Sequence, residues 1–278
     1  MARKISKSGV ASGYLHGYSS TEQKRLVEQA RFLESSVYAE IDFTGRKSLL
    51  EVGCGVGAQT EILLRRFPHL TLDGVDASAA QVRVARKRLA RPIRQGRVRL
   101  TTGDALHLPY KDNAFDSAFV CWLLEHVREP VGILKELRRV LQPGARLSCT
   151  EVLNSSLFVH PYSPATLRYW FAFNDHQWNL GGDPFVGAKL GNYLQAAGFQ
   201  NVVTRVRTEH YDNRMPKRRA AFIEYWITLL LSGASGLIKA GKISSEEIEE
   251  MRSELSRLKD DPDSVFFYSY MQAHADVL

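Results

Sequence analysis

Short apolar runs alternate with amphipathic segments along most of this chain. Seven of the runs have the length of buried strands and lie at residues 48–52, 70–75, 98–102, 115–121, 146–152, 201–208 and 265–273. Apolar positions at three-and-four spacing predict helices at residues 22–37, 130–141, 165–180, 186–197 and 219–239, with another after Ser244. Because strands and helices alternate, the pattern predicts an α/β fold around a mostly parallel sheet.

The most specific local signal follows the first predicted strand. Gly53, Gly55 and Gly57 occupy every second position there, and a helical segment begins at once. Glycine permits backbone angles that a side chain would forbid and lets a ligand approach the main chain. The next strand ends in Asp76, whose carboxylate can accept both hydroxyls of an adenosine ribose. The turn holds no Lys or Arg, which suits a ligand without phosphates.

The pattern E-V-G-C-G-V-G at residues 51–57 resembles motif I of the class I S-adenosylmethionine-dependent methyltransferases. Later segments are similar to further motifs of this family in the same order, namely Gly103-Asp104-Ala105, Leu-Glu-His-Val at 124–127 and Gln-Pro-Gly at 142–144. The Leu-Glu-His-Val signature looks like the branch that methylates quinones and other small metabolites. The resemblance implies a Rossmann-like, seven-stranded, mostly parallel sheet with the last strand antiparallel, an N-terminal helix, and catalysis by in-line methyl transfer.

The resemblance also implies where the cofactor S-adenosylmethionine and its product S-adenosylhomocysteine would bind. Glu51 would organise the amino group, Asp76 the ribose, and Asp104 with the amide of Ala105 the adenine. Tyr14 would pack against the methionine portion, although a tyrosine on the domain edge is an equal alternative. The expected cofactor-binding residues are Tyr14, Glu51, Gly53, Cys54, Gly55, Asp76, Ala77, Gln81, Asp104, Ala105 and Cys121. No metal is expected.

The acceptor is expected to bind after the fifth strand, where aromatic and polar residues are concentrated. The candidate substrate-binding residues are His160, Tyr162, Trp170, Asp175 and Trp178. Asp175 and Glu224 would suit a cationic amine, and a neutral hydroxyl fits nearly as well, so N- or O-methylation of a small organic metabolite is expected. His126 is the candidate general base because imidazole titrates near neutrality, but it could instead brace the cofactor loop.

Two amphipathic helices are predicted between the last two strands, where the family has a short connection. The first is interrupted near Ser232-Gly233, and Ser244 with Glu247 caps the second. We expect a methyltransferase domain at residues 1–212 and 263–278 and a helical insertion at 213–262. The insertion is interpreted as a lid over the acceptor, with a homodimer contact or membrane-surface docking as alternatives.

The net charge of +7 raises the alternative of an RNA methyltransferase. Basic residues are concentrated at residues 83–99 and 217–219. A solvated helix face is the commoner origin of such clusters. The sequence contains neither the Asn-Pro-Pro-Tyr type of motif of exocyclic-amine methylases nor a Pro-Cys nucleophile. A small-molecule acceptor is therefore favoured over nucleic acid.

A cytoplasmic protein is expected from the composition and from the lack of an apolar run behind the N-terminal charges. Residues 1–9 are basic without an apolar run behind them, and no apolar stretch reaches the ~18 residues of a membrane span. Cys54, Cys121 and Cys149 have no metal-type spacing, so they are interpreted as small buried hydrophobic residues without disulfides.

Overall fold

A mixed sheet of eight strands forms the centre of the protein, which a computed structural model describes over residues 14–278. The strands are β1 (Ser48–Val52), β2 (Thr71–Asp76), β3 (Val98–Thr102), β4 (Phe115–Cys121), β5 (Leu141–Val152), β6 (Phe158–His160), β7 (Gln200–Tyr211) and β8 (Val265–Asp276). The first five are parallel in the order β3-β2-β1-β4-β5, and β8 pairs antiparallel with β5, β6 and β7. The basic segment 1–9 lies outside the described residues.

The sheet confirms the predicted α/β fold with its antiparallel last strand. One strand more than predicted is present, because the short β6 pairs with the start of β8 through Phe158 and Phe267. A three-residue strand is too short to leave a periodic signal in the sequence.

Ten helices surround the sheet within residues 14–278. They are α1 (Ser20–Phe32), α2 (Glu34–Val37), α3 (Ala58–Arg66), α4 (Ala79–Arg88), α5 (Ala90–Arg94), α6 (Pro130–Val140), α7 (Pro164–Leu180), α8 (Leu190–Ala196), α9 (Pro216–Lys239) and α10 (Ser245–Asp260). The predicted helix 22–37 is divided at Leu33 into α1 and α2. Short 3-10 turns occupy Leu124–His126, Asn154–Ser156 and Val186–Lys189.

Two of the helix starts have the predicted polar caps. Ser19 accepts a hydrogen bond from the backbone N–H of Glu22 at the start of α1. Ser244 and Glu247 form a reciprocal capping box at the start of α10. Both caps satisfy amide groups that the first helical turn leaves without partners.

The predicted interruption of α9 at Ser232-Gly233 is wrong, because the helix continues from Pro216 to Lys239. Gly233 does not interrupt the helix but allows α9 to pack closely against α7. A Cβ atom at this position would lie 2.8 Å from Cε2 of Phe173 on α7. The two helices therefore approach each other at a residue without a side chain.

The sheet separates two apolar layers. One layer packs α1, α3, α4, α7, α9 and α10 against one face, and the other packs α6 and α8 against the opposite face. Helices α9 and α10 lie in the chain between β7 and β8 and contact each other and α7. They therefore extend the first layer instead of standing apart from it.

Helix α9 is the one helix within residues 14–278 that is long and apolar enough to cross a membrane by length and composition. In its most apolar window, 39% of the residues are buried inside the protein. Because core helices pass the same test, this is weak evidence for a span.

Candidate active site

A cavity opens at the carboxyl ends of β1, β2 and β4, where ligands bind in open α/β sheets. Its floor is formed by the glycine turn after β1 and by the residues that follow β2, β3 and β4. Its cover comes from the segment before α1, from α1 itself and from α7 and α9. The residues of the cofactor end that line it include Tyr14, Gly53, Cys54, Gly55, Asp76, Ala77, Gln81, Asp104, Ala105 and Cys121.

The glycine turn is held against the end of β2 by its own amides. The N–H groups of Gly53 and Cys54 donate to the carbonyl of Val75 over 2.8 and 3.1 Å. Gly53 and Gly55 have φ angles of +80° and +50°, which side chains rarely adopt. The sequence therefore folds locally into a turn whose backbone forms part of the cavity wall.

Asp76 is oriented by two backbone hydrogen bonds. Its Oδ2 accepts from the N–H of Gly55 at 2.9 Å, and its Oδ1 accepts from the N–H of Ser78 at 2.8 Å. Each oxygen keeps a further lone pair. Burial raises the pKa of Asp76 above its ordinary value, while these two hydrogen bonds act in the opposite direction. The carboxylate is thus fixed in the cavity wall with capacity for two more donors.

Asp104 and Ala105 follow β3 and line the cofactor end of the cavity together with Asp76. Oδ1 of Asp104 accepts from the N–H of Leu106 at 3.0 Å, which fixes the turn after β3. Gln81 lies between Asp76 and α1, because its Oε1 accepts from Nε2 of Gln23 at 3.1 Å. The first helix therefore reaches the cofactor end of the cavity.

Glu51 lies behind the glycine turn and outside the cavity wall. Its side chain is buried, and its Oε2 accepts from the hydroxyl of Thr60. Burial raises the pKa of Glu51 to about 8. A direct contact of Glu51 with a cofactor amino group stays a prediction.

The segment before α1 closes one side of the cavity with aromatic rings. The ring centroid of Tyr14 lies 4.9 Å from that of His126, and the Tyr14 hydroxyl donates to Oε1 of Glu22 at 3.2 Å. Glu22 also accepts from Nε and Nη2 of Arg25 at 2.7 and 2.6 Å. A buried ion pair within α1 therefore lies beside the cavity, and its carboxylate also binds Tyr14 of the preceding segment.

Aromatic side chains form the other end of the cavity. They come from α7, α9 and β8 and comprise Trp170, Phe173, Tyr225, Trp226 and Tyr268. The polar groups of Trp170 and Tyr268 are bound to one residue, since the indole N–H donates to the carbonyl of Asn154 and the phenol donates to its Oδ1, both at 2.9 Å. These walls suit a mainly apolar organic ligand.

His126 lies in the cavity on the 3-10 turn after β4. Its Nε2 is 3.6 Å from Oε1 of Glu125, and the other Glu125 oxygen accepts from Nε2 of Gln177 at 2.8 Å. Glu151 of β5 holds the start of the turn, because its Oε1 accepts from the N–H groups of Leu123 and Leu124 at 3.0 and 2.7 Å. Burial raises the pKa of Glu151 to about 8.

Of the five candidate acceptor residues, the structure brings only Trp170 into the cavity wall. Asp175 and Trp178 lie on the outward face of α7, and the side chain of Trp178 is 54% exposed. Tyr162 is 77% exposed, and Nε2 of His160 lies 3.3 Å from Oδ2 of Asp263 at the surface. Helical periodicity explains the separation, since the inward face of α7 is formed by Trp170, Phe173 and Gln177.

Several residues of the cavity carry no signal in the sequence that assigns them to a binding site. They are His16, Arg25, Tyr225, Trp226 and Tyr268. Each belongs to a segment far along the chain from the glycine turn, and only packing of α1, α9 and β8 brings them together. The apolar face of α9 indicated burial of Trp226, but periodicity cannot distinguish a core position from a cavity wall.

Comparison with known proteins points to one family. The model of the methyltransferase domain family matches residues 50–149. An O-methyltransferase of Penicillium expansum, cnsE, is 30% identical over 211 residues, which cover 73% of this chain and 71% of that protein. A demethylmenaquinone methyltransferase of Lactiplantibacillus plantarum is 28% identical over 62% of this chain and 78% of its own length. Other curated relatives are matched over only 54% or 50% of their length.

A solved structure with the same fold is the geranyl diphosphate C-methyltransferase of Streptomyces coelicolor, in complex with Mg²⁺, geranyl diphosphate and S-adenosylhomocysteine. It has a TM-score of 0.55 and 15% identity, and the match covers 99% of this chain and 92% of that one. The chain belongs to the class I S-adenosylmethionine-dependent methyltransferases. The resemblance that motif I suggested is confirmed.

The cofactor end of the cavity fits S-adenosylmethionine. The turn at residues 53–57 offers glycine backbone without Lys or Arg, as a ligand without phosphates requires. Asp76 has free acceptor capacity at the place where a ribose would lie. Within residues 14–278, no group of three or more His, Cys, Asp or Glu side chains is arranged to hold a metal ion.

Proposed function

We propose that this chain transfers the methyl group of S-adenosylmethionine to a hydroxyl group of a small, mainly apolar molecule. The observation that carries the proposal is the continuity of the cavity, which extends from Asp76 and Asp104 to the aromatic walls at Trp170 and Tyr225. A donor at one end and an acceptor at the other would meet beside His126. Such proximity supplies much of the rate enhancement of a bimolecular transfer.

A hydroxyl acceptor has more support than a cationic amine. The two carboxylates that the sequence suggested for an amine lie outside the cavity, since Asp175 is exposed and Glu224 is exposed and accepts from Nζ of Lys259 at 2.6 Å. Glu125 lines the cavity, but one of its oxygens is already bound by Nε2 of Gln177. Arg25 also lines the cavity, and its guanidinium is paired with the carboxylate of Glu22, so Glu22 is not free to bind an amine. Two imidazoles, those of His16 and His126, are available for a hydroxyl proton.

Each part of the cavity would have a separate task in this reaction. S-adenosylmethionine supplies a methyl group already activated by the sulfonium charge. Asp76 would bind the ribose, Asp104 and Ala105 the adenine, and the glycine turn would admit the methionine portion. Tyr14 and the rings of the acceptor end would orient the acceptor and exclude water.

We propose that the insertion of α9 and α10 acts as part of the cover over the acceptor. Tyr225, Trp226 and Leu229 of α9 line the cavity, and the hydroxyl of Tyr169 on α7 donates to the carbonyl of Leu230 at 2.7 Å. These contacts support a fixed wall more than a freely moving flap. A dimer contact through the outer face of these helices remains compatible with this role.

An RNA acceptor has less support because part of the basic cluster, Arg97 and Arg99, is already bound at the opposite edge of the sheet. Arg99 donates twice to Asp73, each time over 2.8 Å, and Arg97 donates to the carbonyl of Leu70. They lie at the amino ends of β2 and β3, whereas the cavity opens at the carboxyl ends. Arg219 of the second cluster is fully buried and donates to two backbone carbonyls.

The proposal is tested by incubating the full chain with tritiated S-adenosylmethionine and a panel of phenols, hydroquinones, aliphatic alcohols, amines and total RNA. We expect label in hydroxyl compounds. Transfer to amines alone or to RNA would contradict the proposal.

Cofactor binding is tested with Asp76→Ala. We expect it to weaken S-adenosylmethionine binding by about 10- to 100-fold, because a hydrogen bond to a charged group contributes about 1.5 to 3 kcal/mol. Asp260→Ala, at the exposed end of α10, is the matched control. An unchanged dissociation constant in Asp76→Ala would remove the cofactor site from the proposal.

A further inference from the structure

His16 lies in the acceptor end of the cavity, on the segment that precedes α1. Its ring centroid is 5.3 Å from that of Tyr14, 5.7 Å from Phe173 and 6.2 Å from His126. The sequence gives this histidine no family role. It lies among the rings that surround the acceptor end, so the hydrogen bonds of its two ring nitrogens determine what it can do there.

One nitrogen of His16 is bound to helix α9. Its Nδ1 lies 2.6 Å from Oγ of Ser232, and the same Oγ lies 2.6 Å from the carbonyl oxygen of Leu229. A carbonyl cannot donate, so the single hydroxyl proton of Ser232 must lie between Oγ and Leu229. The Nδ1 of His16 must then carry a proton and donate it to Ser232, which assigns the tautomer from the hydrogen-bond network.

The other nitrogen, Nε2, is therefore the unprotonated one in the neutral ring. It has no hydrogen-bond partner among residues 14–278, although the ring lines the cavity. The charged and titratable groups around it are Arg25 with its partner Glu22, Tyr14, His126 with Glu125, and Tyr225. Burial lowers the pKa of His16 well below its ordinary value, and the charges of Arg25 and His126 add to this effect. The ring is therefore neutral at neutral pH, and the lone pair of Nε2 is unprotonated there.

His126 is less suited to accepting a proton. Its Nε2 is 3.6 Å from a carboxylate oxygen of Glu125, so a protein side chain already faces that nitrogen. The edge-on contact with Tyr14 fixes its ring. His126 thus has the surroundings of a residue that orients the cavity, whereas His16 has the surroundings of a base.

We propose that His16 is the general base of the methyl transfer, with Ser232 as the positioning residue that fixes its tautomer. The inference rests on the proposed hydroxyl methylation. The acceptor oxygen forms a bond to the methyl carbon as its O–H proton passes to Nε2 of His16. The bond from the methyl carbon to sulfur breaks, and its electron pair stays on sulfur in S-adenosylhomocysteine. The imidazolium then releases the proton to water.

The tautomer is tested without any acceptor, so its outcome is independent of the proposed function. The full chain is labelled with ¹⁵N-histidine, bound to S-adenosylhomocysteine and studied by long-range ¹H–¹⁵N correlation, with His16→Gln used to assign the signal. We expect a protonated Nδ1 and an unprotonated Nε2 at pH 7.5, with a mixture of tautomers in Ser232→Ala. A protonated Nε2 in the wild-type protein would overturn the proposal. If His16→Gln does not fold, the change caused by Ser232→Ala assigns the signal instead.

The kinetic test uses tritiated S-adenosylmethionine and the hydroxyl compounds of the panel. We expect His16→Gln to lower kcat by about 100-fold or more, as loss of a general base does, with the dissociation constant for S-adenosylmethionine unchanged. The acidic limb of the pH–rate profile should disappear in His16→Gln and persist in His210→Gln, an exposed histidine of β7. Loss of that limb in His126→Gln but not in His16→Gln would transfer the base role to His126.

Discussion

The two ends of the cavity are built by different means. At the cofactor end, a continuous stretch of chain contributes backbone groups, as when the N–H of Gly55 orients Asp76. At the acceptor end, side chains from four distant segments meet, with His16, Trp170, Tyr225 and Tyr268 as representatives. Backbone recognition of a constant ligand needs fixed turns, whereas recognition of a particular acceptor needs only surfaces of suitable shape. The acceptor end can therefore change without disturbing the cofactor end.

The largest effect is expected at the buried ion pair of α1, the helix that covers part of the cavity. Arg25→Ala should destabilise the protein by about 3 to 5 kcal/mol, because it leaves the buried carboxylate of Glu22 without its partner. Urea denaturation measures this loss. The matched control is Arg168→Ala, which breaks the exposed pair with Glu250 and should cost less than about 1 kcal/mol. Equal losses in the two variants would show that burial does not make the Arg25 pair more important for stability than the exposed pair.

This difference explains how much the sequence could predict. The order of strands, the glycine turn and the position of Asp76 follow from local periodicity and spacing, and the family motifs lie in that part. Around the acceptor, the sequence indicated an aromatic segment but not which side of α7 faces inward. It could not show that His16 and Ser232 meet, because they are distant in the chain and only the docking of α9 brings them together.

A second prediction concerns the buried carboxyl groups behind each end, Glu51 behind the glycine turn and Glu151 behind the turn that carries His126. The folded state raises the pKa of each to about 8 from an ordinary value of 4.5. Their contribution to stability is therefore fully present below about pH 4.5 and is lost as the pH rises through about 8. The protein without cofactor should lose on the order of 1 to 3 kcal/mol per group between pH 6 and 9.

The measurement is urea denaturation across this range, with the variants Glu51→Gln and Glu151→Gln for comparison. Each variant should show a flatter dependence of the unfolding free energy on pH than the wild type. A wild-type profile that stays flat, or one that both variants retain unchanged, would show that neither group is protonated in the folded protein.

The smallest effect is expected at the outward face of α7. Trp178→Ala should leave the KM of the acceptor unchanged, because the ring is 54% exposed and lies outside the cavity. Trp170→Phe should raise that KM several-fold, since it removes the indole N–H that donates to Asn154 and reshapes the wall. Steady-state kinetics at saturating S-adenosylmethionine compares the two. A raised KM in Trp178→Ala would place the acceptor on the surface where the sequence alone first suggested it.

The continuity of the two ends is tested most directly by a crystal structure with bound S-adenosylhomocysteine. The account predicts that both ribose hydroxyls donate to the carboxylate of Asp76 and that the sulfur atom faces the rings of Tyr14 and His126. A ribose bound away from Asp76, or a sulfur atom turned away from the aromatic walls, would contradict it.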